Sequence, residues 1–101
     1  MVGAAGMTTK AEKEHMSKVA ALGCALAWFK FREYMEAELH HPRTGTGAGR
    51  RASHMDVIPL SPHFHRLSNE ALHVMGRKAF ERFHGVTELE LLAQTQERLQ
   101  G

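Results

Sequence analysis

Two segments, AELHHP at residues 37–42 and DVIPLSPHFH at residues 56–65, have the composition of two short strands that each lead into histidines. Pro42 ends the first strand, and Pro59 makes the second an edge strand or marks its end. Between them lies RTGTGAGRR, residues 43–51, whose glycines at alternate positions exclude a regular helix. The pattern therefore predicts two short strands around a loop that allows close backbone approach to another molecule.

Helices are predicted on both sides of this strand pair. Thr9-Lys10-Ala11-Glu12 matches a capping box, and the helix that it begins runs to about Leu22, where Gly23 ends it. After the strands, Ser61-Pro62 fits a helix start, and the chain is predicted to be helical to about Phe83, with a break around Leu67–Glu70.

A last helix is predicted from a second capping box, Thr87-Glu88-Leu89-Glu90. The aromatic stretch Cys24–Tyr34 fits either a helical turn or an irregular knuckle, and periodicity does not choose between them. The order of elements, a helix, two strands and then helices, predicts an α+β fold.

Length and composition limit the class of protein. The 101 residues predict one domain, residues 8–101, after a flexible tail at residues 1–7. No apolar run approaches the roughly 20 residues needed to span a bilayer, so no membrane partner is expected. The single cysteine, Cys24, cannot form an internal disulfide and fits a reducing cytosol.

The basic residues are unevenly placed, although the formal net charge is only +2. No acidic residue lies between Glu38 and Asp56. A solvated face is the ordinary explanation of a charge cluster, but the glycine-rich setting favours contact with phosphates. The predicted DNA-binding residues are Arg43, Arg50, Arg51 and His54 in the loop and Arg77 and Lys78 on a later helix.

Histidines are the most informative residues, since there are eight in the chain. His40 and His41 are adjacent at a strand end, where neighbouring side chains point to opposite faces and so have different roles. His65 follows the second strand, and His73 lies eight residues later. Imidazoles from a strand and a following helix can converge on one divalent ion and leave positions open for phosphate.

These residues also carry a resemblance to a known family. The segment from Ala37 to His54 resembles part of the phage Ref proteins, RecA-dependent HNH nucleases of the recombination enhancement function family. Val57–Arg66, Gly76–Glu81 and the turn at Gly85–Glu88 look similar to the same family. The resemblance implies a small ββα-metal (HNH, or His-Me finger) core with flanking helices.

The resemblance also implies residue roles. His41 matches the general base that activates water for attack on a DNA phosphodiester, and His40, His65 and His73 match the ligands of one Mg²⁺ or Mn²⁺ ion. Asp56 stands near the asparagine that orients the base in such enzymes. The implied partners are DNA and a RecA filament, in the cytoplasm of a bacterium that carries the phage or prophage.

One part of the family pattern is missing. Relatives hold a structural zinc with a C-x-x-C pair and a C-x-x-H pair, whereas here Cys24 is the single remaining ligand and Ala27, Ser61 and Phe64 replace the others. Structural zinc contributes on the order of 10 kcal/mol to folding, against about 1.5–3 kcal/mol for one buried Phe. We therefore predict that several apolar side chains replace the zinc. A shifted site using Cys24 and His63 is the alternative.

Other aromatic and histidine residues are expected to have no functional role and to lie either in the core or at the surface. The aromatic group from Trp28 to Phe31 is expected in the core and not as a base-stacking platform, and His63 and His84 are expected to face solvent.

The leading functional prediction is a metal-dependent DNA endonuclease. The alternative is a catalytically weak HNH-like module that binds DNA or a host protein in recombination or anti-defence, and a structural phage protein is a third class.

Overall fold

The computed structural model describes residues 9–42 and 55–101. The tail at residues 1–7 and the loop residues Arg43, Arg50, Arg51 and His54 lie outside them. The described residues form five α-helices, one π-helical turn and a two-stranded sheet, which confirms the α+β class. None of these helices is long and apolar enough to cross a membrane. The helices are α1 Lys10–Leu22, α2 Ala25–Phe31, α3 Leu72–Met75, α4 Arg77–His84 and α5 Glu88–Gln100.

The predicted strand pair is present and short. Strand β1, Glu38–His40, pairs antiparallel with β2, Ile58–Leu60, so that His40 lies opposite Ile58. All three residues of β2 are buried. Pro59 is tolerated because each strand of a two-stranded sheet has an edge that needs no backbone donor. The pairing places His40 at the end of β1 nearest the start of β2.

Both capping boxes form as predicted. The side chain of Thr9 accepts a hydrogen bond from the backbone N–H of Glu12, and Glu12 in turn accepts from the backbone of Thr9. Thr87 and Glu90 make the same reciprocal pair at the start of α5. Gly23 ends α1 at φ 83°, where an added Cβ would lie 2.6 Å from the ring of Tyr34.

The segment after β2 is divided more finely than the sequence indicates. A π-helical turn, His63–Leu67, closes with a 3.2 Å hydrogen bond from the Ser68 N–H to the His63 carbonyl. The predicted break near Leu67–Glu70 is confirmed. A second break at Gly76, φ 88°, separates α3 from α4 and is not predicted from the sequence.

The core lies between the sheet and the surrounding helices. Strand β2 supplies Ile58 and Leu60, α4 supplies Phe80 and α5 supplies Leu91, each at most 1% exposed. The residues Cys24–Ala27 at the start of α2 complete this cluster. The long helices α1 and α5 also contact each other, which closes the fold behind the strand pair.

Two expectations about side-chain burial are wrong. Phe29 and Phe31 are 45% and 52% exposed, because only the first turn of α2 faces the core. Trp28 is half-buried, with the Arg98 guanidinium 4.5 Å from its ring centroid. His84 is 5% exposed and does not face solvent.

Burial gives His84 a defined protonation state. Burial lowers the pKa of its imidazole, against a raising effect of the Glu70 carbonyl, and the Lys30 charge lowers that pKa further. The Lys30 ammonium donates to Nδ1 at 3.0 Å, and Nε2–H donates to the Glu70 carbonyl at 2.9 Å. The folded protein therefore holds His84 as the neutral tautomer protonated at Nε2.

We expect His84 to destabilise the fold under acidic conditions. Its unfolded pKa is about 6.5 and its folded pKa is lower, so between these values the unfolded chain binds the extra proton. The stabilisation from neutral His84 is complete above about pH 6.5 and is lost as pH falls towards the folded pKa. Urea unfolding between pH 7.5 and 5.5 with EDTA should show a shallower pH dependence in His84→Gln. Parallel curves for the two proteins would contradict this assignment.

Candidate metal centre

A cleft of about 520 Å³ lies where β1, the π-helical turn, α3 and the start of α5 meet. The side chains that line it are Leu39, His40, His41, His65, Leu72, His73, Gly76, Arg77 and Glu88. The pairing of β1 with β2, the π-helical turn and the break at Gly76 bring these residues together. The cleft thus contains all four histidines singled out in the sequence.

His40 is fixed by a buried carboxylate. Its Nε2 lies 2.6 Å from Oε2 of Glu88, and the two side chains are 7% and 4% exposed. Glu88 is the first residue of α5, where the positive end of the helix dipole favours an anion. Its backbone N–H donates to Oε2 of Glu81 at 2.8 Å. A carboxylate only accepts, so the Nε2 proton of His40 points to Glu88 and its Nδ1 carries a lone pair.

His65 is held in the same way, by a carboxylate on β1. Its Nδ1 lies 2.6 Å from Oε2 of Glu38 on β1. Arg66 binds both oxygens of that carboxylate, through Nε at 2.7 Å and Nη2 at 3.1 Å. Hydrogen bonds from Arg66 and then His65 lower the pKa of Glu38 from 4.5 to about 2. Glu38 therefore stays ionised at neutral pH and accepts the Nδ1 proton of His65, so that the neutral form of this ring has its lone pair on Nε2.

The remaining nitrogens of these histidines converge. His65 Nε2 lies 3.3 Å from His40 Nδ1 and 3.1 Å from His73 Nε2. If both rings are neutral, these nitrogens of His40 and His65 carry lone pairs that face each other, an arrangement that a proton or a metal ion between them stabilises. Two imidazole nitrogens that share one ion at about 2.1 Å lie about 3.0–3.4 Å apart, close to these separations.

The cluster fits a metal ion by its donor set as well as by its geometry. One ligand atom from each of His40, His65 and His73 lies within 4.8 Å of the other two. Metal-binding histidines commonly donate their second N–H to a carboxylate or carbonyl, which fixes the tautomer and raises ligand basicity. His40 and His65 have such carboxylate partners here. Among residues 9–42 and 55–101, this is the one group of three side chains suited to a metal ion.

The other predicted site residues have different positions. His41 follows β1, is half-buried and lines the cleft beside the cluster. Arg77 lines the cleft at the start of α4 and donates to Glu81 at 3.2 Å, whereas Lys78 is exposed outside the cleft lining. Asp56 lies away from the cleft and accepts from Gln96 at 3.3 Å, so it does not orient His41.

The four residues that the resemblance aligns with zinc ligands lie in or beside the core. Cys24, Ala27, Ser61 and Phe64 are at most 5% exposed. Within each pair, the first side chain accepts a hydrogen bond from the backbone N–H three residues later. Cys24 Sγ accepts from Ala27 at 3.4 Å, and Ser61 Oγ accepts from Phe64 at 3.2 Å. No group of three metal-binding side chains in the described part of the chain includes Cys24 or His63, which argues against the shifted site.

Sequence reasoning missed the carboxylates that hold the histidines. Glu38 lies two residues before His40 in the strand motif, and Glu88 lies inside a capping box whose capping carboxylate is Glu90. A second acidic residue in the first turn of α5 was the available signal for Glu88. The contact partners lie 27 and 48 residues apart in the chain, so no local pattern shows which histidine each carboxylate contacts.

We expect Glu88→Gln to weaken metal binding by about 10- to 100-fold, the usual effect of losing a carboxylate behind a histidine ligand. An amide can donate to His40 and so favours the wrong tautomer. Titration calorimetry with Zn²⁺ and with Mn²⁺ measures the change. Glu90→Gln is the matched control, since it alters an exposed capping residue of the same helix turn. Equal affinities in all three proteins would show that Glu88 does not act through His40.

Comparison with known proteins adds no assignment to this geometry. No protein-family model, no curated protein and no solved structure matches the chain. The cleft, with its three converging nitrogens and the residues around them, is therefore the basis for assigning a function.

Proposed function

We propose that this protein is a metal-dependent DNA endonuclease of the HNH type, with its active site in the cleft around His40, His65 and His73. The observation that carries the proposal is the convergence of three imidazole nitrogens, two of them backed by carboxylates, beside a further histidine and an arginine. A histidine beside a metal centre and an arginine suited to phosphate are the groups that phosphodiester hydrolysis needs.

The order of the elements supports an HNH-like core. His40 comes from the first strand of an antiparallel pair, and His65 and His73 come from the helical segment that follows the second strand. This is the strand–strand–helix order of a ββα-metal site. The π-helical turn sets the position of His65, and such turns are frequent at functional sites.

Each side chain has a distinct role in the proposed reaction. His41 accepts a proton from the attacking water, because its imidazole lines the cleft outside the converging group. Arg77, which also lines the cleft, binds a non-bridging phosphate oxygen. Glu38 and Glu88 hold the tautomers of His65 and His40. A bound divalent ion supplies charge stabilisation for the phosphate and the departing oxygen.

The donor set favours some ions over others. Mg²⁺ prefers oxygen ligands, whereas imidazole suits Zn²⁺ and other transition ions. Of the two ions that the family resemblance implies, we therefore propose Mn²⁺ over Mg²⁺, with Zn²⁺ as the ion that binds most tightly. RecA-coated DNA is the proposed partner on the same resemblance.

Nicking of supercoiled plasmid tests the proposal. We expect cleavage with Mn²⁺, weaker cleavage with Mg²⁺ and none with EDTA. His65→Ala should abolish cleavage and metal binding together, because His65 Nε2 is within 3.3 Å of both partner nitrogens. Absence of cleavage by folded, metal-loaded protein, with RecA and single-stranded DNA also supplied, would overturn it. Retained DNA binding in that case would favour the non-catalytic binding module.

A further inference from the structure

A second surface feature lies apart from the cleft. Phe31, the last residue of α2, and Phe83, near the end of α4, are 52% and 57% exposed. The Lys30 ammonium lies 5.9 Å from the centroid of the Phe31 ring and 5.7 Å from that of Phe83. None of these residues lines the cleft. We call Lys30, Phe31 and Phe83 the aromatic–lysine surface.

Contacts with the buried His84 hold Lys30 and Phe83 in place. The Lys30 ammonium donates to Nδ1 of His84, whose own Nε2–H donates to the Glu70 carbonyl. The Phe83 ring lies edge-on to His84, with centroids 4.9 Å apart. A flexible lysine and an exposed ring are thus both fixed against a buried imidazole. Fixed groups lose less conformational entropy on binding than free ones.

The charges around the two rings favour a polyanion. Lys30 precedes Phe31 and Arg32 follows it, while Arg82 precedes Phe83 and is exposed. Glu81, the nearest acidic neighbour on α4, is bound to Arg77 and to the backbone of Glu88. Exposed aromatic rings with interleaved cations are the chemistry that single-stranded nucleic acids meet in their binding proteins, through base stacking and phosphate contact.

We propose that the aromatic–lysine surface binds single-stranded DNA, with bases stacked on Phe31 and Phe83 and a phosphate on Lys30. A duplex would not use the rings, because its bases are already stacked on each other and must be extruded before a side chain can reach their faces. This surface would help to select the substrate of the nuclease, and that role rests on the proposed function.

The helix α4 links this surface to the cleft. Arg77 at its start lines the cleft, and Phe83 lies six residues further, about 9 Å along the axis at the usual helical rise. A strand held at the surface therefore lies within a few nucleotides of the cleft. The nuclease would then act on DNA that has a single-stranded segment next to the scissile bond.

Fluorescence anisotropy with a labelled oligothymidine of 20 nucleotides, in EDTA, tests this binding directly. Phe31→Ala and Phe83→Ala should each weaken single-strand affinity by about five- to 100-fold, the range that one stacked base contributes. Affinity for a 20-base-pair duplex should not change. Phe29→Ala is the matched control, since this 45% exposed ring on α2 has no ring contact with Lys30 among the described residues.

The outcomes separate the two proposals. Loss of single-strand binding in the two variants, without any plasmid cleavage by the wild type, would support the surface and reject the nuclease. Plasmid cleavage by the wild type, together with unchanged oligothymidine affinity in both variants, would support the nuclease and reject the surface. Equal losses for duplex and single strand would overturn the stacking role. No oligothymidine binding by the folded wild type would also overturn the proposal and leave the surface to a protein partner.

Discussion

Replacing His41 with alanine is expected to lower the rate of DNA cleavage by about 10²- to 10⁴-fold, the usual contribution of a general base. The metal affinity should not fall, because the converging group is formed by His40, His65 and His73. Single-turnover cleavage at saturating Mn²⁺ measures the first effect, and titration calorimetry measures the second. This separation of rate from affinity distinguishes a base from a ligand.

The control for this experiment is His63→Ala. His63 is exposed at the start of the π-helical turn, two residues from His65, and it does not line the cleft. We expect its cleavage rate to stay close to that of the wild type. If His41→Ala also retains a rate within tenfold of the wild type, another group removes the proton. If it loses metal affinity, His41 acts on the centre itself.

The helices were predictable because their signals are local. In each capping box, two residues three apart satisfy each other's backbone groups, so Thr9 with Glu12 and Thr87 with Glu90 determine the helix starts without the rest of the chain. The break at Gly76 was missed because a glycine within a helical pattern is compatible with either a continuous helix or a stop.

Burial of the aromatic residues was harder to predict for a physical reason. A helix as short as α2 turns only its first residues, Ala25–Ala27, towards the core. The direction of the next turn depends on where the sheet and α5 lie, which no local pattern specifies. Phe31 was therefore assigned to the core, and His84, which packs beneath Lys30, was assigned to solvent.

The candidate site shows the same difference between residues with a local sequence signal and residues that only the fold brings together. The histidine cluster was predicted from the order of His40, His65 and His73 in a strand and a following helix, together with the family resemblance. Glu38 and Glu88 form hydrogen bonds with these rings. Only the pairing of β1 with β2 and the packing of α5 bring the carboxylates and the histidines together. The histidines of the candidate centre could thus be predicted from the sequence, whereas the carboxylates that orient them could be identified only from the fold.

Replacing Phe64 with alanine is expected to lower the free energy of unfolding by about 3–5 kcal/mol, a large part of the roughly 5–15 kcal/mol of a typical domain. Phe64 stands where the family would place a zinc ligand, is 5% exposed and packs in the core cluster with Cys24 and Ala27. Its ring also lies edge-on to His84, with centroids 5.6 Å apart. Urea unfolding followed by circular dichroism, with EDTA throughout, measures the loss.

Two comparisons test whether apolar packing, and not a second metal ion, stabilises the core around Phe64. Phe29→Ala removes a ring that is 45% exposed, so its effect should stay within about 0.5 kcal/mol. His65→Ala removes the central ligand of the histidine cluster, so any remaining effect of EDTA on its stability would reveal a second metal site. We expect none, because the core around Phe64 is held by burial. A loss below 1 kcal/mol in Phe64→Ala, or EDTA-sensitive unfolding of His65→Ala, would reject the apolar replacement.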